Sequence, residues 1–383
     1  MSVTAAQGFR ASGVAAGIKA SGGPDLALVV NDGPLDAAAG VFTSNRVKAA
    51  PVRWSEQVLR SGRLTAVILN SGGANACTGA VGFQDTHATA ERVGAALGIG
   101  AAEVAVCSTG LIGDRLPMDA LLPGVDTAAK ELAADGGPAA ATAIMTTDTR
   151  PKTATLTRSG FTVGGMAKGA GMLAPGLATM LVVVTTDAVA DSQTLDAALR
   201  EATRVTFDRV DSDGCMSTND TVLLLASGAS GVTPAPGELA EAVTAVCHDL
   251  AQQLVGDAEG ASKDVAITVV NAASEADALE VGRSIARNNL LKCALFGNDP
   301  NWGRVMIAIG TTSAAFDPDQ LDVAMNGVWI CRDGATGDDR SLVDLSGRAV
   351  EIAVDLKSGG SSATVWTNDL TTDYVHENSA YSS

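Results

Sequence analysis

Short, uninterrupted apolar runs and longer amphipathic stretches succeed one another along this chain. Residues 26–31, 64–70 and 221–226 are apolar runs bounded by turn formers, the pattern of strands buried on both faces. Met180-Leu-Val-Val-Val-Thr-Thr186 is a further such run, rich in the β-branched residues that fit a pleated sheet. Residues 104–106 form a shorter predicted strand, and 153–157 with 161–163 read as a hairpin. Apolar or small positions at helical spacing predict helices over 85–97, 192–207, 237–255 and 274–287, where Ser274 with Asp277 forms a capping box. Proline at a favoured first position opens two more, over 117–135 and 138–145. Strands return at 265–271, 321–325, 328–331, 349–355 and 363–367. Helices and strands alternate without a clean βαβ repeat, which predicts a layered α/β (α+β) architecture.

Composition narrows the function. The chain has 383 residues, 46% hydrophobic and 18% charged, enough to bury a large core or two lobes and too apolar for disorder. A net charge of -17 argues against nucleic acid and anionic membranes as partners, since both call for a basic face. No apolar stretch approaches the roughly 18 residues of a membrane span. Met1-Ser-Val-Thr-Ala-Ala-Gln7 lacks a basic segment followed by an apolar one, so a soluble, cytoplasmic protein is expected. The six cysteines and three histidines are scattered, with no C-x-x-C pair and no cysteine–histidine cluster. Reduced thiols and no metal site are therefore expected. With so few imidazoles, a base of another residue type becomes attractive.

The candidate chemistry centres on Lys168-Gly-Ala-Gly171, a proline-containing linker, and Thr179 at the mouth of the apolar run. If the Ala178–Thr179 bond breaks, Thr179 becomes an N-terminal residue whose own α-amine can serve as base toward its hydroxyl. Ser108-Thr109-Gly110, at a strand end, reads either as a plain turn or as a hydroxyl and N–H pair aimed at an oxyanion. Thr146-Thr147-Asp148 is a helix-ending turn or a cradle for polar substrate groups. Asp257-Ala-Glu259-Gly260 ends a long helix, where acidic side chains oppose the helix dipole and call for a cationic partner or a function. Asn70-Ser-Gly-Gly-Ala-Asn-Ala-Cys-Thr-Gly79 is too rich in glycine and asparagine for regular structure and reads as a functional loop, although it lacks the ending of a P-loop. Asn298-Asp-Pro-Asn-Trp-Gly-Arg304 reads as a loop of fixed shape. Gly169-Ala-Gly171 lacks the third glycine of a dinucleotide fingerprint.

These segments, with Met145-Thr-Thr-Asp-Thr149, Ala178-Thr-Met-Leu181, Ser217-Thr-Asn-Asp220 and Glu377-Asn-Ser-Ala-Tyr-Ser-Ser383, occur in order along nearly the whole chain. Together they resemble the ornithine acetyltransferase (glutamate N-acetyltransferase) family of arginine biosynthesis. The resemblance implies a fold like that of self-processing N-terminal nucleophile amidases of the aminopeptidase type. It implies autocleavage into an α chain, 1–178, and a β chain, 179–383, forming one intertwined catalytic unit, with two copies of each chain assembled. Thr179 would be the nucleophile, and Thr109 with Gly110 the oxyanion donors. Thr146, Lys168, Thr179, Glu259, Asn378 and Ser383 match substrate-contacting positions. The implied reaction moves acetyl from N2-acetylornithine to glutamate through an acetyl-threonine, without a cofactor. Whether acetyl-CoA is a further donor stays open, as do a self-cleaving amidase or aminopeptidase of the same fold and a paralogue in a specialised pathway.

Overall fold

The computed structural model describes residues 2–173 and 180–380. The chain forms two compact units, one built from residues 2–208 and 216–257, the other from 209–215 and 258–380.

The first unit holds two sheets. One is four-stranded, in the order Phe9–Val14, Leu26–Asn31, Ala66–Ser71, Val104–Thr109. The other is five-stranded, in the order Ala37–Phe42, Thr221–Ala226, Leu181–Thr186, Phe161–Lys168, Lys152–Arg158. Leu26, Leu28, Ile68 and Val106 of the first sheet share one core with Met166, Leu181, Val183, Leu223 and Leu225 of the second. Helices Ser192–Val205 and Glu238–Val255 pack on the five-stranded sheet, so Leu181–Thr186 is buried at every position, as its unbroken apolar run requires. Helix Ala50–Val58 covers the strand Val104–Thr109 at the sheet edge: Trp54 Nε1 donates to the Val104 carbonyl at 3.0 Å, and Ser55 Oγ to that of Val106 at 2.7 Å.

Register places the chemistry at one end of the five-stranded sheet. Phe161–Lys168 runs antiparallel to Leu181–Thr186 with Lys168 opposite Leu181, and Leu181 lies opposite Thr221 of the parallel neighbour. The strand predicted over 104–106 runs on to Thr109, which leaves Ser108 and Thr109 as its last residues.

The second unit is a six-stranded sheet around Asp264–Ala272, which pairs parallel with Ala349–Asp355 and antiparallel with Ser361–Asn368. Its strands alternate, with Val265, Ile267 and Val269 turned into a core shared with helices Glu275–Ala286, Asn289–Phe296 and Trp302–Ile309. The Ser274 hydroxyl accepts the Asp277 N–H at 3.1 Å, the cap read from the sequence.

Two expectations need correction. The helix predicted over 85–97 begins at Gly79, because the buried Asn75 amide donates to Gly82 O at 2.8 Å and Thr86 Oγ1 at 3.0 Å and so holds a glycine-rich first turn in place. The segment 298–304, read as loop, becomes helical at Trp302, where Asn301 ends the turn and Val305, Ala308 and Ile309 supply a buried face.

Because Leu223 is fully buried where the two sheets of the first unit meet, Leu223→Ala is expected to cost about 2–5 kcal/mol. The urea midpoint of unfolding, compared with wild type, measures it.

Candidate active site

Thr109 and Gly110 stand where the strand turns. Gly110 has φ +131°, and a Cβ there would lie 2.5 Å from the Gly73 nitrogen, so only glycine makes this turn without strain. The turn is braced on all sides. Gly73 N–H donates to the Thr109 carbonyl at 3.0 Å. Ser108 Oγ donates to Asn70 Oδ1 at 2.6 Å, and Asn70 Nδ2 donates to Gly73 O at 3.0 Å. The Asn219 amide donates to Ala74 O at 2.6 Å and Ser108 O at 2.8 Å. The glycine–asparagine loop and the Ser217–Asp220 segment thus serve as its scaffold.

Lys168, 1% exposed, donates from Nζ to Thr109 Oγ1 at 3.2 Å, which joins two predicted site residues directly. Thr146 joins them through Asp148, whose Oδ2 accepts the Thr146 N–H at 3.0 Å and whose Oδ1 accepts the Gly169 N–H at 2.7 Å. Lys152, fully buried, bridges Asp148 Oδ1 at 2.6 Å and Asp257 Oδ2. Burial would raise the Asp148 carboxyl, yet the charges of Lys168 and Lys152 and the Gly169 N–H outweigh it and bring the pKa down to about 2.

Asp220 is the opposite case. It is fully buried, and its Oδ1 accepts the Met180 N–H at 3.1 Å while Oδ2 has no hydrogen-bond partner of good geometry among the described residues. Desolvation pushes its pKa well above the usual carboxylate range, against the weaker opposing effects of the Met180 N–H, Ser217 and Lys168.

In the second unit Glu259, nearly buried, accepts from Asn378 Nδ2 at 3.0 Å. Asn378 lies on the helix Thr372–Ala380, which packs so closely on Gly260 that a Cβ there would come within 2.2 Å of the Tyr374 nitrogen. The two acidic residues of the 257–260 segment are therefore separately engaged, Asp257 by Lys152 and Thr149, and Glu259 by Asn378. Ala178, Thr179 and Ser383 lie outside the described residues.

The sequence reading missed Lys152 and gave Asp148 no specific role. One signal was there: Lys152, Ala154 and Leu156 share a face at strand periodicity, which puts a lysine in line with apolar positions. Nothing local shows that Asp257, far along the chain, would meet it.

The burial of Asp220 sets an expectation for stability. Its folded pKa exceeds the unfolded value, so wild type loses stability as pH rises from the unfolded pKa toward the folded one. Asp220→Asn keeps an acceptor for Met180 N–H and cannot ionise. The Tm advantage of the variant is expected to grow between pH 4 and pH 8; a constant difference would show that Asp220 is not held neutral.

Comparison with known proteins agrees with this arrangement of motifs. The chain matches the ArgJ family over residues 10–383. It is 72% identical over 383 residues to the arginine biosynthesis bifunctional protein ArgJ of Streptomyces coelicolor, with both chains fully covered. The protein of the same name from Thermobifida fusca is 64% identical over 382 residues, again with full coverage of both. A solved structure of ornithine acetyltransferase complexed with ornithine, from Mycobacterium tuberculosis, is 65% identical; the match covers 47% of this chain and 96% of that one, with a TM-score of 0.45. On a family match that takes in every motif described above, the chain belongs to the ArgJ family.

Proposed function

We propose that this protein transfers acetyl from N2-acetylornithine to glutamate, giving ornithine and N-acetylglutamate, in arginine biosynthesis. Membership of the ArgJ family supports the pathway. The observation that carries the chemistry is the buried Lys168 ammonium on the Thr109 hydroxyl, beside a turn that only glycine can make.

In this reading the precursor cleaves itself between Ala178 and Thr179 into chains 1–178 and 179–383, two of each assembling in the cytoplasm. The freed α-amine, with a reference pKa near 7.7–8.0, accepts the Thr179 hydroxyl proton as the oxygen attacks the acetyl carbonyl. Negative charge develops on the carbonyl oxygen, faced by Thr109 and Gly110. The C–N bond then breaks and the proton passes to the departing amine of ornithine. The free amine of glutamate attacks the acetyl ester, the C–O bond to Thr179 breaks, and a proton returns to the hydroxyl. Lys168 pairs with the substrate α-carboxylate, and Thr146 holds its polar groups. Glu259, Asn378 and Ser383 serve the cationic end of ornithine, Glu259 by charge. The description of the curated relatives as bifunctional supports acetyl-CoA as a second donor.

A self-cleaving amidase would use the same groups and deliver acetyl to water. Acceptor dependence separates the two. Acetylornithine loss is expected to need glutamate and to yield N-acetylglutamate in equal amount; loss at the same rate without glutamate, with acetate released, would establish the amidase instead. Processing is checked by intact mass under denaturing conditions. Wild type is expected as two fragments that meet at Ala178/Thr179, and Thr179→Ala as one chain; a full-length wild-type chain that still exchanges acetyl would rule out the α-amine as base.

A further inference from the structure

An exchange that moves acetyl between two amino acids sets a condition on the place where their side chains end. Ornithine ends in an ammonium and glutamate in a carboxylate, each at its δ-carbon, so the two bring opposite charges to the same depth. In the reading above, Glu259 attracts the first and repels the second. A cation is needed beside it. That cation must not be locked in an ion pair with Glu259, or the end of ornithine would find its partner taken.

The second unit holds a cavity of about 370 Å³ that meets this condition. Among the described residues, five charged side chains line it: Asp213, Glu259, Arg287, Lys292 and Asp369. Most are already engaged within the fold. The buried Lys292 directs its ammonium to the Ser212 carbonyl at 2.6 Å, the Thr367 hydroxyl at 2.9 Å and the Asn368 carbonyl. Asp369 accepts the N–H groups of Ser262 and Lys263, both at 2.9 Å, and the Ser262 hydroxyl. Asp213 accepts the Cys215 N–H at 3.1 Å within its own turn. Arg287 differs. It stands half-exposed between helices Glu275–Ala286 and Asn289–Phe296, and its Nε donates to the buried Asp211 Oδ2 at 2.7 Å. That is its one ion pair among the described residues, and its terminal nitrogens have no hydrogen-bond partner among them.

We propose that Arg287 is a specificity-determining residue of the exchange: its terminal nitrogens receive the side-chain carboxylate of glutamate, in the cavity where Glu259 receives the ammonium of ornithine. This rests on the reading of Glu259 as the partner of ornithine. A guanidinium fixed at Nε keeps its two terminal nitrogens as a planar fork, which matches a carboxylate. Asp211 supplies that fixing, so the fork is oriented before glutamate arrives.

Acceptor choice tests the proposal. Glutamine has the shape of glutamate without its charge, so the ratio of kcat/KM for the two acceptors isolates the charge at the side-chain end. Wild type is expected to favour glutamate by about tenfold or more, the size expected of a hydrogen bond between charged groups. Arg287→Gln can still donate to Asp211. In that variant the preference is expected to fall to near unity as KM for glutamate rises by about tenfold. KM for acetylornithine is expected to stay or fall, because a repelling cation has gone. Equal rises in KM for both substrates, with the preference for glutamate kept, would mean that Arg287 only supports the fold and would overturn the proposal. A wild-type enzyme that uses glutamine as readily as glutamate overturns it without any variant, so the test stands even if Arg287→Gln is not recovered folded. Absence of glutamate-dependent exchange in wild type would instead defeat the functional reading, and an unchanged acetylornithine KM in Glu259→Gln would defeat the role of Glu259 on which this rests.

Discussion

A lysine ammonium taken fully out of water costs several kcal/mol unless its charge is met within the fold, and this chain buries two of them side by side. Lys152 is tolerable because Asp148 and Asp257 are buried against it, and the charge of Lys168 acts on the same Asp148. The cluster brings together the turn after helix Gly137–Ala143, the edge strand Lys152–Arg158, the end of strand Phe161–Lys168 and the segment that follows helix Glu238–Val255. Removal of one member would leave an unmatched buried charge, typically a loss of about 3–5 kcal/mol, so the four positions constrain one another. A buried ion cluster is a poor way to gain stability when apolar residues of the same volume would serve as well. Its presence beside Thr109 fits a site that must hold charge ready for a charged substrate.

The same field produces opposite results at two aspartates. Asp148 receives two backbone N–H groups and a lysine and stays ionised, while Asp220 has too few donors to repay its desolvation. Such separation of carboxyl groups by environment is common where proton positions matter. Here Asp148 joins Asp257 in balancing the lysines, while Asp220, its pKa raised by desolvation, accepts the Met180 N–H at the start of the central strand.

What could be read from the sequence follows from the range of the interactions involved. Strands buried on both faces, such as Leu26–Asn31 and Leu181–Thr186, are visible because their side chains form nearly continuous apolar runs. Phe9–Val14, with Arg10 and Ser12 inside it, is not, since its polar residues are answered by Asp32 and the Ala128 carbonyl elsewhere in the fold. Ala37–Phe42 is equally quiet, because its small residues gain strand character only by pairing with Thr221–Ala226. The site divides in the same way. Thr109, Gly110 and Lys168 sit in local patterns that point to chemistry. Lys152 and Asp257 acquire meaning only when a strand and a distant helix end are brought together.

Oxyanion stabilisation depends on donors that are in place before charge develops, since donors that must reorganise lose most of their advantage. In the proposed reaction Thr109 and Gly110 are the donors, and the structure around them is braced by hydrogen bonds from other segments. Asn70 and Asn219, from segments far apart in the chain, hold the backbone on either side of Ser108, and Gly110 accepts a conformation closed to other residues. Lys168 then reaches Thr109 from the other sheet of the same unit, with its own backbone fixed by Asp148 through Gly169. Within the first unit, the segments around Asn70, Thr109, Lys168 and Asn219, which look like turns one at a time, thus meet at a single strand end.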